Sequence, residues 1–258
     1  MSQVMELLRK VTGGWPRSGS SVTRPLRAPW NRGAARPQSV AAGTQSDASP
    51  VVSAAELRIE HFWQAPVYAD RIEHLFDAFQ LAPLAGHVLE FGVYRGATLN
   101  RFAEWSSDRS DPRVFGFDSF EGLPEEWVRT KAGYRYQAGH FSLGRLPCVL
   151  ENVELIPGFF DATLAPWLAK HPGPIAFLHN DSDLYSSTLH CLRTLNDRLV
   201  PGTVIAFDEL GDWTGTGVYD NWDEGEWKAL REWLSEFDRR IKVISRNCEF
   251  GAVVQVVQ

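Results

Sequence analysis

Glu90-Phe91-Gly92-Val93-Tyr94-Arg95-Gly96 closes a short apolar run, His87–Glu90, and opens a helical stretch, Ala97–Trp105. A chain leaving a strand this way needs glycine where its backbone approaches a ligand with no Cβ between them. Glycine also makes tight strand-to-helix turns that bind nothing, so the string alone leaves both readings open. Its spacing is not the GxGxxG of a nicotinamide site.

The next apolar run, Arg113–Asp118, ends on an acid about twenty residues beyond Gly96, within Phe117-Asp118-Ser119-Phe120-Glu121-Gly122-Leu123-Pro124. A carboxylate at a second strand tip can accept both hydroxyls of a ribose. Turn capping is the alternative for Asp118. Both signals fall at the carboxyl ends of neighbouring strands, where open α/β sheets bind ligands, and together they read as a nucleoside-cofactor site.

Outward from these two motifs, apolar runs keep alternating with helical stretches. Further strands are predicted at Asn152–Ile156, Ile175–His179 and Thr203–Asp208, and helices at Ala162–Lys170, Ser187–Leu199 and Glu224–Phe237. Two last strands, Lys242–Ser245 and Ala252–Val257, lie too close for a helix between them and must run antiparallel. The pattern predicts an α/β, Rossmann-like, seven-stranded and mostly parallel sheet, with an antiparallel last strand and helices on both faces. Residues 51–258 form that domain, and 51–85 supply a helical N-terminal cap of one or two amphipathic helices suggested by Leu57, Phe62, Val67, Ile72, Leu75, Phe76 and Phe79. Residues 1–50 are Arg-, Ser-, Gly- and Pro-rich without periodicity and read as a disordered basic leader. A targeting segment has the same composition.

Two more strand ends carry acids. Ile175–His179 runs into Asn180-Asp181-Ser182-Asp183, and Thr203–Phe207 runs into Asp208-Glu209. Asp181, Asp208 and Glu209 should converge at the cofactor edge, and clustered carboxylates repel unless a cation or proton intervenes. Mg²⁺ takes oxygen ligands of this kind and can acidify and orient a substrate hydroxyl. Helix capping is the alternative for Asp181, and capping or buried hydrogen bonding is the favoured reading for Asp183. His179 is a candidate base, though a histidine at a strand end is more often structural.

At these residues the chain resembles the macrocin O-methyltransferase family, class I S-adenosylmethionine-dependent enzymes that methylate sugar hydroxyls of natural products. The match runs from about Leu57 to the end, most specifically at Leu89–Val93 with Gly96, at Gly116–Pro124, at Asn180–Thr188 and at Pro201–Glu209. The resemblance implies S-adenosylmethionine at the first two motifs, through Glu90, Gly92, Tyr94, Gly96, Asp118 and Ser119. It also implies Mg²⁺ on Asp181, Asp208 and Glu209, with Asp181 as the catalytic residue at the reacting hydroxyl. Two departures stand out. The macrolide enzymes carry a second Asp where this chain has Glu209, one methylene longer. The catechol-type metal enzymes place a Lys where this chain has Leu184, so the proton is left to Asp181 or to the metal's own ligand sphere.

Composition bounds the partners. The chain has 258 residues, 44% of them hydrophobic and 22% charged, and a formal net charge of −6. Seven basic residues and one acid fall within 1–45, so the remainder carries about −12, which suits a small cationic molecule and not nucleic acid. No apolar run reaches the ~20 residues of a membrane span. Three cysteines without CxxC spacing point to a reducing, cytoplasmic setting. The expected partner is a small-molecule acceptor. The aromatic stretches Glu125–Leu150 and Leu210–Gly225 serve as acceptor lids or as a homo-oligomer interface. Two other functions compete: a non-catalytic S-adenosylmethionine-binding protein, and a nicotinamide-dependent oxidoreductase, which the glycine spacing and the lack of a Tyr-x-x-x-Lys dyad disfavour.

Overall fold

A computed structural model describes residues 50–83, 85–106 and 114–258. The leader expected at 1–50 lies outside them, apart from Pro50. The central strand is β3 (His87–Phe91), paired in parallel with β4 (Val114–Asp118) on one side and β8 (Ile175–Asn180) on the other. β7 (Val153–Pro157) continues the sheet beyond β4, and β9 (Val204–Phe207) beyond β8. The closing hairpin is antiparallel, as its short connection requires: β11 (Ala252–Val256) inserts between β9 and β10 (Arg240–Asn247). These are the seven expected strands. Two short segments, β1 (Val51–Ser53) and β2 (Val67–Tyr68), both pair with β10 and extend that edge, which makes this sheet nine-stranded among the described residues. Two short strands therefore lie within the region expected to be a helical cap. Its helices are α1 (Ile59–Trp63) and α2 (Arg71–Leu81).

Because both faces are covered, neighbouring residues of each inner strand enter different cores. Val88, Val114 and Phe177 pack with Leu75 and Phe79 of α2 and with Leu99 and Phe102 of α3 (Ala97–Trp105). Leu89, Phe115 and Leu178 join Leu164 of α4 (Phe160–Lys170), Leu192 of α5 (Tyr185–Leu195) and Trp233 of α6 (Glu226–Glu236) on the opposite face. Within Glu125–Leu150, a small hairpin of β5 (Trp127–Val128) and β6 (Arg135–Tyr136) forms a second sheet. No described helix is long and apolar enough to cross a membrane.

Candidate active site

The turn after β3 is held by the acid at the tip of β4. Asp118 Oδ2 accepts the backbone N–H of Val93 at 2.9 Å and of Tyr94 at 2.7 Å, and Oδ1 accepts that of Phe120 at 2.7 Å. Tyr94 (φ +48°) and Phe120 (φ +56°) sit in the left-handed region, and three charge-assisted bonds to one carboxylate support that backbone. Gly92 (φ +88°) has a second reason to be glycine, because a Cβ there would lie 1.7 Å from the Asp181 carbonyl oxygen. Gly96 caps α3 in a left-handed conformation, with its N–H on Val93 O at 2.8 Å.

Four of the six residues assigned to the cofactor, Gly92, Tyr94, Gly96 and Asp118, thus form one loop system. Ser119 lies beside it but spends its hydroxyl locally, donating to Gly122 O and accepting from Glu121 N–H. Glu90, the sixth, lies at the end of β3 beneath the loop. It is 1% exposed and takes Nδ1 of the fully buried His179 on Oε1 at 2.9 Å. In the parallel register of β3 and β8 it lies opposite His179, and its Oε2 is buried without a hydrogen-bond partner.

The acids of the other strand ends meet a cation that the sequence reading missed. Arg71, the first residue of α2, donates from Nε to Asp208 Oδ1 at 2.6 Å, from Nη2 to Asp181 Oδ2 at 3.0 Å and from Nη1 to Thr98 Oγ1 at 3.3 Å. His179 Nε2 lies 3.6 Å from the same Asp208 oxygen. Burial opposes ionisation of Asp208, but Arg71 and His179 outweigh it and hold this carboxyl below its usual range. Burial likewise opposes a charged His179, yet Asp208 and Glu90 raise its pKa to about 9. Asp181 is pushed up to about 7 by burial and by Asp208, against the pull of Arg71 and His179.

The expected trio of Asp181, Asp208 and Glu209 divides. Ligand atoms come within 4.8 Å of one another in two groups that share Asp181: His179–Asp181–Asp208 and Asp181–Asp183–Glu209. Glu209 is 8% exposed and its Oε2 has no hydrogen-bond partner. Its backbone N–H donates to Oε2 of Glu226 at 3.0 Å, and Asn180 donates its side-chain amide to Oε1 of the same residue. Glu226 is wholly buried at the start of α6, so it ties the β8 and β9 ends together from below. Asp183 does not cap the helix: Leu184 occupies the cap of α5, and Asp183 lies in the acidic group at φ +63°.

Two loops wall a cleft beside Asp183, lined among others by Trp127, Tyr185, Tyr219 and Asn221. They are pinned to each other: Asn221 N–H donates to Arg129 O, its side chain donates to Val128 O, and Lys131 N–H donates to Asp220 Oδ1. Arg129 lies 4.4 Å from the Trp127 ring centre and 4.6 Å from that of Tyr219. Not all the aromatics read as lids face outward. Trp213 and Tyr219 are core residues, Trp213 stacking on Phe62, whereas Tyr134 and Phe141 are exposed.

Arg71 left one trace in the sequence. It follows Asp70, which caps α2 by accepting Glu73 N–H, and a cation in a first helical turn opposes the helix dipole. Such a residue calls for an anionic partner, but nothing in its spacing names acids more than a hundred positions away.

Comparison with known proteins places this geometry. Residues 89–210, from β3 to just past Glu209, match the family model described as a methyltransferase domain. The chain is 30% identical over 156 residues to the 8-demethyl-8-(2,3-dimethoxy-α-L-rhamnosyl)-tetracenomycin-C 4′-O-methyltransferase of Streptomyces olivaceus, an alignment covering 54% of this chain and 59% of that one. It therefore spans less than two thirds of the length of this curated relative. Among solved structures, the calicheamicin methyltransferase CalS11 superposes with a TM-score of 0.56 at 25% identity, covering 70% of this chain and 77% of that chain. The O-methyltransferase NovP aligns with 24% identity over 73% of this chain and 80% of its own, at a TM-score of 0.49. The fold is the Rossmann-like one of class I methyltransferases.

Proposed function

We propose that the chain is an S-adenosylmethionine-dependent O-methyltransferase acting on a hydroxyl of a small molecule, with a natural-product sugar as the acceptor class. The observation that carries this is the contact between donor turn and acid. Gly92 and Asp181 touch through their backbones, and Asp181 N–H donates to Phe91 O at 2.9 Å. The match of residues 89–210 to a methyltransferase domain and the sugar named for the Streptomyces relative support it.

In this reading the Gly92–Gly96 loop and Asp118 hold the cofactor, with the exposed ring of Tyr94 at its rim. Asp118 has three lone-pair positions filled by backbone amides, so it first shapes the loop and offers the remaining position on Oδ1 to a ribose hydroxyl. Asp181 accepts the acceptor hydroxyl's proton. A carboxyl raised to about 7 is matched to that task near neutral pH. The sugar enters by the cleft of Trp127, Asp183, Tyr219 and Asn221, aromatic and polar at once.

Mg²⁺ is the finer part of the proposal, and the three acids first assigned to it do not share one place. The Asp181–Asp208 side is filled by the Arg71 guanidinium. Asp181, Asp183 and Glu209 fit better, having converging oxygens and the partnerless Glu209 Oε2. A divalent ion held there would polarise the acceptor hydroxyl.

Calorimetry with S-adenosylhomocysteine and with NAD tests the cofactor. Methyl transfer from labelled S-adenosylmethionine to rhamnosylated acceptors tests the reaction. Preference for the dinucleotide, or binding without any transfer across a broad panel of glycosides and phenols, would sink the proposal.

A further inference from the structure

We propose that Arg71 is the resident cation of the Asp181–Asp208 pair and keeps a divalent ion out of it. The inference concerns the same edge as the proposed transfer site but stands on the ion-pair geometry alone. All three nitrogens of the guanidinium are engaged, on Asp208, Asp181 and Thr98. The Asp208 oxygen it meets at 2.6 Å is also the one that faces His179. A divalent ion on that oxygen would lie within roughly 4 Å of the guanidinium, where two cations repel strongly in a partly buried site.

Chain geometry keeps the guanidinium in place. Arg71 starts a helix whose Leu75, Ala78 and Phe79 are buried on the sheet. The Asp70 cap fixes the first turn. Withdrawing the guanidinium would leave two acids with only His179 beside them and a cation in a first helical turn without the anions that offset the helix dipole. Arg71 is thus a positioning residue. It holds Oδ2 of Asp181 beside Oδ1 of Asp208, while a ligand oxygen of Asp181 also lies within 4.8 Å of those of Asp183 and Glu209.

Mn²⁺ titration of the full chain, read by electron paramagnetic resonance, tests this. Asp208→Asn should leave wild-type Mn²⁺ affinity, whatever its value, within twofold. Arg71→Gln should raise affinity at least tenfold, and Arg71→Gln with Asp208→Asn should lose that gain. Wild-type binding abolished by Asp208→Asn, or no gain in Arg71→Gln, overturns the proposal. Should Arg71→Gln fail to fold, the wild-type Arg71 Nε–H resonance decides. It should stay protected from hydrogen exchange in excess Mg²⁺, and loss of protection would show that the metal displaces the guanidinium. S-adenosylhomocysteine affinity, measured on the same samples, reports separately on the transfer function.

Discussion

Gly92 and Asp181 meet so closely that the Cβ absent from Gly92 would fall 1.7 Å from the Asp181 carbonyl oxygen. The donor loop and the strand end that presents the acid are therefore one packed unit. Gly92 N–H on Phe117 O at 3.0 Å and Asp181 N–H on Phe91 O at 2.9 Å lock three adjacent strand ends in register.

Gly92→Ala should consequently be among the more damaging single changes. Alanine at φ +88° is strained, and the β8 backbone must also move to admit the methyl group. The combined cost should be about 2–5 kcal/mol. Urea denaturation measures it. A loss under 1 kcal/mol would mean that the two strand ends move apart easily and do not act as a unit.

Asp118→Ala strips the loop of the acceptor for three backbone N–H groups and removes the oxygen proposed for the ribose. Cofactor affinity should fall by about 1.5–3 kcal/mol, the scale of hydrogen bonds to a charged group. Stability should fall with it, because Val93, Tyr94 and Phe120 N–H lose their partner. Calorimetry and thermal melting on one sample separate the effects. Unchanged affinity in a folded, destabilised variant would confine Asp118 to its structural part.

The sheet was legible because its strands are short apolar runs and its turns carry glycine and acid at fixed distances. Local pattern put Asp118 and Asp181 at the carboxyl ends of β4 and β8, where the structure has them. It could not give Glu90 its partner, since the pairing with His179 depends on the parallel register of β3 and β8. It assigned the cation between Asp181 and Asp208 to a metal because convergence of acids is visible in the strand order, whereas the reach of Arg71 across 137 positions to Asp208 is not. Trp213 and Tyr219 fall in a long aromatic loop of the kind that forms a lid or an interface, yet α1 and Arg129 bury their rings.

Stability should fall as pH rises from 6.5 to 9. His179 is held protonated to about 9 in the fold against 6.5 as its ordinary value, so the folded chain binds the extra proton across that window. The stabilisation is complete below 6.5 and is lost as pH climbs through 9. Asp181 acts in the same sense at lower pH. Its carboxyl titrates near 7 in the fold and near 3.8 otherwise, so stability declines between those values. Melting temperature measured at pH 6, 7, 8 and 9 should decrease monotonically, and His179→Gln should flatten the upper part of the slope. A rise between pH 7 and 9 would show that Glu90 and Asp208 do not keep His179 charged.

Asp181→Asn tests the chemistry most directly. The substitution keeps size and shape, so the packed contact with Gly92 through the backbone survives. Thr98 and Asp208 still hold Arg71. What is lost is the group that accepts the hydroxyl proton. General-base assistance contributes roughly 10²–10⁴-fold, and turnover should drop on that scale. S-adenosylhomocysteine affinity should change less than twofold, since the donor loop is untouched. That split between kcat and cofactor binding distinguishes a residue at the reacting hydroxyl from one that merely shapes the edge. The pH–rate profile adds a second reading: the limb with an apparent pKa near 7 in the wild type should vanish in the variant. If Asp181→Asn instead weakens cofactor binding and turnover together, or leaves that limb in place, the proton goes elsewhere and Asp181 only supports the sheet edge.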